Sequence, residues 1–237
     1  MSSDPCRTIL VTGGTGALGT AVTRRLLADG HIVAATFVVK EKAEALRESI
    51  GKAERLMLVE TDVTDPASIS NTVEDIEAEV GPVEGLVHLV GAWKGGAPVH
   101  ELPLDLWERM LDLNLRSALL CCRALLPSMR QAGWGRIVLV SSRTAREGRA
   151  GQGAYAIAKA GVAVLAETIA EESRGLDVTA NVVAPSTLGT PANRAAMPDA
   201  DFGEWVPPDD VAASIAFLVS QEAGQLRGAW LPVYGSA

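Results

Sequence analysis

A tyrosine and a lysine stand four positions apart in a segment with helical periodicity: Tyr155 and Lys159. At this spacing both side chains project from one face of a helix. A phenol is mostly protonated at neutral pH, and an ammonium group a few ångströms away favours the phenolate. The pair therefore predicts a tyrosine with a lowered pKa that acts as a general acid and base.

A serine is expected to join this pair. Ser142 directly follows the β-rich run 136–141, so we expect its hydroxyl to reach the same crevice and to polarise a carbonyl oxygen. Taken alone, a serine at such a place is more often a turn or capping residue.

A glycine-rich turn lies near the start of the chain, where residues 12–19 read Thr-Gly-Gly-Thr-Gly-Ala-Leu-Gly. Glycine at 13, 16 and 19 permits a tight turn, close approach of the backbone to a pyrophosphate, and close packing of helix on strand. The helix amino terminus adds free N–H groups and a positive dipole. An isolated glycine triplet is often an ordinary turn, but this one follows a strand pattern and opens a helix. With the tyrosine and lysine, it predicts a redox enzyme.

The second strand bears on which nicotinamide cofactor is bound. An acidic residue is usually sought at its end, where it binds a ribose 2′-hydroxyl. Residues 36–40 read Thr-Phe-Val-Val-Lys and include none. Lys40 is placed to pair with a 2′-phosphate, although a lysine that opens an exposed helix is usually solvated. We expect NADP or NAD, with a preference for NADP.

An aspartate follows the third strand. Asp62, with Val63 beside it, stands where a carboxylate accepts a hydrogen bond from adenine. The same carboxylate is also suited to cap the helix that follows Thr64 and Pro66. The sequence leaves both interpretations open.

Strand and helix patterns alternate along the chain. Strands are predicted at about 8–12, 32–39, 56–60, 86–90, 136–141, 178–184 and 230–233, and helices at 17–28, 41–50, 66–79, 104–130, 155–174 and 208–220. Alternation of this kind predicts an α/β Rossmann fold, in which a doubly wound, mainly parallel sheet lies between two layers of helices. In such sheets ligands bind at the carboxyl ends of the strands.

Length and composition narrow the class of protein. No linker divides the 237 residues, so one domain over 1–237 is expected. A net charge of -8 without a basic stripe argues against nucleic acid. A short polar start without a secretory pattern, and apolar runs too short for a bilayer, predict a cytoplasmic protein without a membrane span.

Histidines and cysteines do not point to a metal. His31, His88 and His100 are scattered, and Cys121 and Cys122 are adjacent in an apolar run, with Cys6 far away. No metal site is expected. His88, inside a strand pattern, is expected to be packed or hydrogen-bonded rather than catalytic.

Taken in order, the glycine turn, Asp62, Asn114, Ser142, the tyrosine–lysine pair and residues 185–190 resemble the short-chain dehydrogenases/reductases over nearly the whole chain. The resemblance implies hydride transfer between a nicotinamide cofactor and a small-molecule carbonyl or alcohol substrate. It implies that Asn114 serves a water relay, Ser142 binds substrate, Tyr155 exchanges the proton, and Lys159 contacts the ribose and lowers the tyrosine pKa.

The residues expected to contact the cofactor include two departures from the family pattern. The usual Asn-Asn-Ala-Gly is replaced by residues 88–91, His-Leu-Val-Gly, and the usual Pro-Gly by Pro185-Ser186. Cofactor binding should survive both, because Gly91 is retained. The expected contacts are Gly13, Thr15, Gly16, Ala17, Leu18, Gly19, Phe37, Lys40, Asp62, Val63, Val90, Gly91, Ala92, Tyr155, Lys159, Pro185, Ser186 and Thr190.

Two segments, 91–96 and 190–205, resemble dihydropteridine reductases, which act on a flat quinonoid dihydropterin. Trp93 would form a stacking wall for such a ring, with Met197 and Trp205 beside it. The simpler interpretation of both tryptophans is packing in the core or in a short lid at about 186–207. Phe37 stands where the NAD-binding aspartate of those reductases would be, and Asn114 and Ser142 favour ordinary carbonyl chemistry.

Three functions are therefore weighed: a carbonyl or alcohol oxidoreductase, which is favoured; a dihydropterin reductase; and a cofactor-sensing protein without chemistry.

Two further features remain. Arg143, Arg146 and Arg149 either meet an anionic substrate or lie in a solvated loop. The helical patterns 104–130 and 155–174 carry more apolar surface than one sheet face needs, which, with the resemblance, predicts a homodimer or homotetramer.

Overall fold

The computed structural model describes residues 5–236, in which seven strands form one parallel sheet. The order across the sheet is β3-β2-β1-β4-β5-β6-β7. The predicted doubly wound α/β fold is confirmed. The strands are β1 Thr8–Thr12, β2 Ile32–Phe37, β3 Leu56–Glu60, β4 Gly85–His88, β5 Trp134–Val140, β6 Asp177–Pro185 and β7 Trp230–Val233.

Helices connect the strands and cover both faces of the sheet. They are α1 Ala17–Ala28, α2 Lys40–Ile50, α3 Pro66–Val80, α4 Leu104–Leu111, α5 Ser117–Ala132, α6 Gly153–Glu172, α7 Pro191–Ala196 and α8 Pro208–Val219. Two predicted strands are shorter at their carboxyl ends, since β2 stops before the exposed Val38 and Val39 and β4 stops at His88. Leu89, the first residue after β4, lines a cavity at this edge of the sheet.

The alternating direction of the side chains along each strand explains why helices cover both faces of the sheet. Leu10 of β1 belongs to an apolar core shared with α3, α5 and α6. Its neighbours Ile9 and Val11 belong to a second core shared with α1 and α8. Successive side chains of a strand point to opposite faces, so a strand that is apolar at every position needs cover on both sides.

The predicted helix 104–130 is interrupted. A π-helical turn, Asp112–Arg116, separates α4 from α5. Within it the side-chain amide of Asn114 donates to the carbonyl of Met110 at 3.0 Å, one helical turn earlier. Such a bulge is frequent at functional sites, and here it contains a predicted catalytic residue.

Helix α6 is long and apolar enough, by length and composition, to cross a membrane, which the sequence analysis did not anticipate. It is nevertheless a core helix, because Ala158, Val162 and Ala166 are buried and the helix packs on β5 and β6. A core helix of a soluble protein meets the same criteria, so α6 gives no independent sign of a membrane.

Candidate active site

The carboxyl ends of β1, β4, β5 and β6 lie side by side in the sheet. The segments that leave these four ends carry most of the predicted site residues: the glycine turn, residues 89–98, residues 141–152 and residues 186–207. Parallel strands bring such segments to one edge although they are distant in sequence. The site is therefore built from four separate loops on one rigid sheet.

The glycine turn requires residues without a Cβ. Gly13 has φ of 69°, a conformation that other residues rarely adopt. Its N–H donates to the Thr36 hydroxyl at 3.1 Å, and the N–H of Gly14 donates to the Thr36 carbonyl at 3.1 Å. A Cβ on Gly19 would overlap the Gly13 carbonyl oxygen and lie 2.7 Å from the Gly14 carbonyl carbon. The turn is thus held against β2 and packed tightly on α1.

A cavity of about 430 Å³ lies over this turn. Helix α1 begins after Gly16, and no side chain of the described residues caps its amino terminus. The first backbone N–H groups of the helix, beside the cavity, therefore have no side-chain acceptor. Gly13 and residues 16–19 line the cavity together with Leu89, Leu188 and residues 190–192. Thr15 is half-buried in the same turn. A larger groove, of about 870 Å³, lies between α2 and the start of β3, at the opposite edge of the sheet.

The end of β2 contributes no carboxylate. Phe37 is half-buried at the last position of the strand, and the Lys40 side chain is exposed at the start of α2. The Lys40 ammonium lies 3.7 Å from the Glu60 carboxylate at the end of β3. An exposed pair of this kind is weak and leaves the lysine able to take another anion.

Asp62 closes a turn. Its carboxylate accepts from the Thr64 hydroxyl at 2.7 Å and from the Thr64 N–H at 2.9 Å, and these bonds hold its pKa below the ordinary value. The suggestion that Asp62 caps the following helix was wrong, since Asp65 caps α3 by accepting from the N–H of Ala67 at 3.0 Å. Val63 is buried beside it.

Asn114 is fully buried and paired with the loop after β4. Its amide donates to the Ala92 carbonyl at 3.0 Å and accepts from the Ala92 N–H at 3.2 Å. A Cβ on Gly91 would lie 2.6 Å from the Asn114 carbonyl oxygen and 2.9 Å from the Lys159 ammonium nitrogen. Glycine at 91 therefore leaves room for both side chains beside this loop. Val90 packs against Gly13, joining this loop to the glycine turn.

Lys159 is buried behind the predicted tyrosine. Its ammonium donates to the Val140 carbonyl at 2.9 Å, and its own carbonyl accepts from the Ser141 hydroxyl at 2.6 Å. Burial lowers the pKa of Lys159 to about 8, so the side chain stays mostly protonated at neutral pH. The end of β5 thus fixes a positive charge within the site.

Tyr155 and Ser142 meet as the sequence predicts, but the pKa of Tyr155 is not lowered. Burial raises the pKa of Tyr155 above its ordinary value, and a hydrogen bond with Ser142 only partly opposes this. The expected lowering by Lys159 was wrong for this structure, because the ammonium lies 6.0 Å from the phenol ring centroid and bonds to Val140 instead. The protonated phenol, which is the form that donates a proton, therefore dominates at neutral pH.

The segment after β6 is bonded to the end of the chain. The Ser186 hydroxyl donates to the Tyr234 carbonyl at 2.8 Å, and Pro185 is buried at the last position of β6. The Thr190 hydroxyl caps α7 by accepting from the N–H of Asn193 at 3.2 Å. Thr190 also lines the cavity over the glycine turn, so this segment faces the turn across the cavity.

The three predicted substrate residues have different surroundings. Trp93 is 58% exposed in the loop after β4. The Trp205 ring packs against Phe202, with ring centroids 4.8 Å apart, and the Arg194 guanidinium lies over the Phe202 ring at 4.6 Å. Met197 is exposed after α7. Trp205 is thus packed against a neighbouring aromatic ring, which favours packing over a stacking wall for this residue.

The arginines after β5 already have partners. Arg143 and Arg149 donate to the two carboxylate oxygens of Glu147 at 2.7 and 2.8 Å, and these bonds hold the pKa of Glu147 below its ordinary value. The Arg146 guanidinium lies over the Trp230 ring at 4.2 Å. This arrangement favours the interpretation of a surface loop over that of an anion-binding one.

No cluster of three or more metal-ligating side chains occurs within residues 5–236. His100 is exposed and lies 3.3 Å from the Glu101 carboxylate, and His31 accepts from the N–H of Arg7 at 3.3 Å. The cysteines are free thiols, and burial raises the pKa of Cys121 to about 12. His88, in β4, is hydrogen-bonded to Thr12 of β1 and Ser117 of α5, as expected.

Two neighbours of the site were missed by sequence reasoning. One is the Val140 carbonyl, which accepts from Lys159 and has no side-chain signal at all. The other is Gln152, whose side-chain oxygen is buried without a partner among the described residues. Gln152 stands three positions before Tyr155 at the start of α6, so helical spacing was the available signal.

Comparison with known proteins agrees with this geometry. The family model described as short chain dehydrogenase matches residues 7–201. The chain is 34% identical to the 3-oxoacyl-[acyl-carrier-protein] reductase MabA of Mycobacterium tuberculosis, over 97% of this chain and 92% of that protein. It is 36% identical to cis-4-hydroxycyclohexanecarboxylate dehydrogenase of Sinomonas cyclohexanicum, over 97% and 95%.

Solved structures show the same likeness. A blue fluorescent protein from a metagenomic library, in complex with NADPH, superposes with a TM-score of 0.86 at 34% identity, covering 98% of both chains. A single-residue variant of the actinorhodin polyketide ketoreductase, with NADPH, superposes with a TM-score of 0.90 at 25% identity, covering 99% of this chain and 98% of that one. The chain belongs to the short-chain dehydrogenase family and is an NAD(P)-dependent oxidoreductase acting on a CH–OH or C=O group.

Proposed function

We propose that this protein reduces a ketone to an alcohol with NADPH. The observation that carries the proposal is the buried, protonated Tyr155, hydrogen-bonded to Ser142 and backed by the Lys159 ammonium, at the same sheet edge as the glycine turn. A protonated phenol beside a fixed positive charge is suited to give a proton to a carbonyl oxygen that gains negative charge.

The residues around the turn fit a dinucleotide. The amino terminus of α1 has free N–H groups, and glycine at 13 and 19 lets the backbone stay close to the cavity. Bound there, NADPH supplies the hydride. We assign the pyrophosphate to Gly13 and residues 15–19, the adenosine end to Phe37, Lys40, Asp62 and Val63, and the nicotinamide end to residues 90–92, Pro185, Ser186 and Thr190.

The preference for NADPH rests on the end of β2. No carboxylate stands at residues 36–40 to bind a ribose 2′-hydroxyl, and Lys40 is exposed with only a weak partner in Glu60. Two of the similar solved structures contain NADPH. Both observations support a 2′-phosphate near Lys40.

Four residues of the chain have separate roles in the reaction. Ser142 and Tyr155 bind the substrate oxygen through their hydroxyls, and Tyr155 gives up its proton as the oxygen becomes an alcohol. Lys159, whose ammonium is held by the Val140 carbonyl, keeps its charge within the site and is assigned to the ribose of the cofactor. Asn114 holds the loop at Ala92 and offers a path for a proton to return through water.

As substrate class we propose 3-oxoacyl thioesters and related neutral ketones, because MabA and an acetoacetyl-CoA reductase of Allochromatium vinosum, 31% identical, are named for such substrates. The three arginines after β5 have partners within the chain, which argues against an anion-binding role beside Ser142. The protein would act in the cytoplasm as one domain, with 186–207 as a short substrate lid.

The test is to measure oxidation of NADPH and NADH in parallel with acetoacetyl-CoA, a cyclic ketone and freshly generated quinonoid dihydropterin. We expect the ketones to be reduced, at least tenfold faster with NADPH, since a tenfold preference needs only about 1.4 kcal/mol. Turnover of the dihydropterin alone would replace this proposal by the pterin reductase. Cofactor binding without turnover of any substrate would favour the sensing protein.

We also propose a homodimer or homotetramer formed through α5 and α6. Leu119 and Val164, which are 47% and 59% exposed on these helices, offer apolar side chains for contact with a second chain. Light scattering at micromolar concentration should give a mass of two or four chains of 24.8 kDa. The variants Leu119→Glu and Val164→Glu should shift it towards one chain, whereas Val38→Glu, at an exposed residue after β2, should not. A wild-type monomer would contradict the proposal.

A further inference from the structure

His88 ends β4 and is buried with both ring nitrogens hydrogen-bonded. Its Nδ1 lies 2.9 Å from the Thr12 hydroxyl, and its Nε2 lies 3.1 Å from the Ser117 hydroxyl. Thr12 ends β1, the strand beside β4, and Ser117 begins α5, so the imidazole connects a neighbouring strand to a helix.

The surrounding bonds decide which nitrogen carries the proton. The Ser117 hydroxyl donates to the Leu113 carbonyl at 2.7 Å, so its proton is used and it accepts from Nε2–H of His88. The Thr12 hydroxyl accepts from the N–H of Leu89 at 3.3 Å and donates its own proton to Nδ1. These bonds require a proton on Nε2, and a neutral imidazole then accepts from the Thr12 hydroxyl at Nδ1.

Electrostatics agree with that tautomer. Burial, with a smaller contribution from the positive Lys159, lowers the pKa of His88 to about 3. The ring therefore does not gain a second proton near neutral pH, and the acceptor at Nδ1 is preserved. The chain of donors runs in one direction, from the Leu89 N–H through Thr12, His88 and Ser117 to the Leu113 carbonyl.

Two members of this hydrogen-bond chain, Thr12 and Leu113, lie next to the two halves of the site. Thr12 immediately precedes Gly13 of the glycine turn, and Leu113 immediately precedes Asn114 in the π-helical turn. We propose that His88 is a positioning residue. Through this hydrogen-bond chain it fixes the position of the π-helical turn that contains Asn114 relative to the glycine turn. His88 touches neither cofactor nor substrate and acts through Thr12 and Ser117.

An imidazole is long enough to reach the Thr12 hydroxyl with Nδ1 and the Ser117 hydroxyl with Nε2. An asparagine side chain reaches about as far as Nδ1 and would keep the bond to Thr12 while leaving Ser117 without its donor. A glutamine reaches about as far as Nε2. His88→Asn and Ser117→Ala therefore break the same link from opposite sides, and His88→Gln restores the donor to Ser117.

A first experiment observes the tautomer directly. In protein labelled with ¹⁵N-histidine, we expect His88 to show a protonated Nε2 and an unprotonated Nδ1, unchanged between about pH 5 and pH 8, where ordinary histidines titrate. The variant His88→Asn identifies the signal. A proton on Nδ1, or titration near the ordinary pKa, would overturn the proposal.

A second experiment separates positioning from mere stability. It rests on the proposed ketone reduction, with the ketone found active as substrate. We expect His88→Asn and Ser117→Ala each to lower kcat about fivefold to tenfold, with NADPH affinity unchanged within about twofold, and the double variant to lose no more than either one. His88→Gln restores the donor to Ser117 but leaves the Thr12 hydroxyl without its acceptor, so it should lower kcat to a similar extent as His88→Asn.

Thermal unfolding monitors folding of each variant, so that a loss of kcat is compared only between folded proteins. Unchanged kcat in Ser117→Ala, or losses that add in the double variant, would refute the positioning role. If the wild type reduces no ketone, the proposed function fails, and the NMR measurement still decides the hydrogen-bond chain on its own.

Discussion

Replacing Tyr155 with phenylalanine is expected to lower kcat for ketone reduction about 10²- to 10⁴-fold, the usual contribution of a positioned general acid. The substitution removes the proton donor and its bond to Ser142, while the ring that fills the space beside Lys159 remains. Affinity for NADPH, measured by fluorescence titration, should change little, because the glycine turn and the cavity over it are untouched.

The chain offers a matched control for this change. Tyr234 is the second of two tyrosines; it lies after β7, where the Arg143 guanidinium is 5.1 Å from its ring centroid. Tyr234→Phe should retain near wild-type turnover. A Tyr155→Phe protein that turned over every ketone normally would remove this residue from the chemistry, and the site would have to be reassigned.

The second large effect is expected from Gly19→Ala. The added methyl would overlap the Gly13 carbonyl oxygen and lie 2.7 Å from the Gly14 carbonyl carbon, both of which are backbone atoms that cannot move aside alone. The glycine turn must shift away from α1, at an expected cost of about 1–3 kcal/mol. NADPH affinity should fall about 10- to 100-fold, since each 1.4 kcal/mol is about tenfold.

Gly148→Ala is the control for that experiment, because a Cβ there meets no atom within 4 Å and its φ is not positive. Titration of both variants with NADPH, with thermal unfolding recorded in parallel, measures the effect. Equal affinity of Gly19→Ala and wild type would show that the turn does not carry the pyrophosphate.

The sequence anticipated the fold well, and for local reasons. Strand β1 and helix α1 have the predicted limits, because apolar periodicity and the glycine turn between them are properties of adjacent residues. The errors fall where tertiary contacts override the pattern. The apolar pattern at 104–130 predicts one helix, but in the structure a π-helical turn divides it. In that turn the Asn114 side-chain amide donates to the Met110 carbonyl.

For the site, the sequence by itself determined that Tyr155 and Lys159 lie one turn apart on a helix, the position of the glycine turn, and the family. These rest on residue types at fixed short spacings. Only the tertiary structure decided that Lys159 bonds to Val140, that burial raises the pKa of Tyr155, and that His88 joins Thr12 to Ser117. The physical reason is that desolvation and hydrogen-bond partners come from segments far apart in the chain, which meet only when the parallel sheet brings the ends of its strands to one edge.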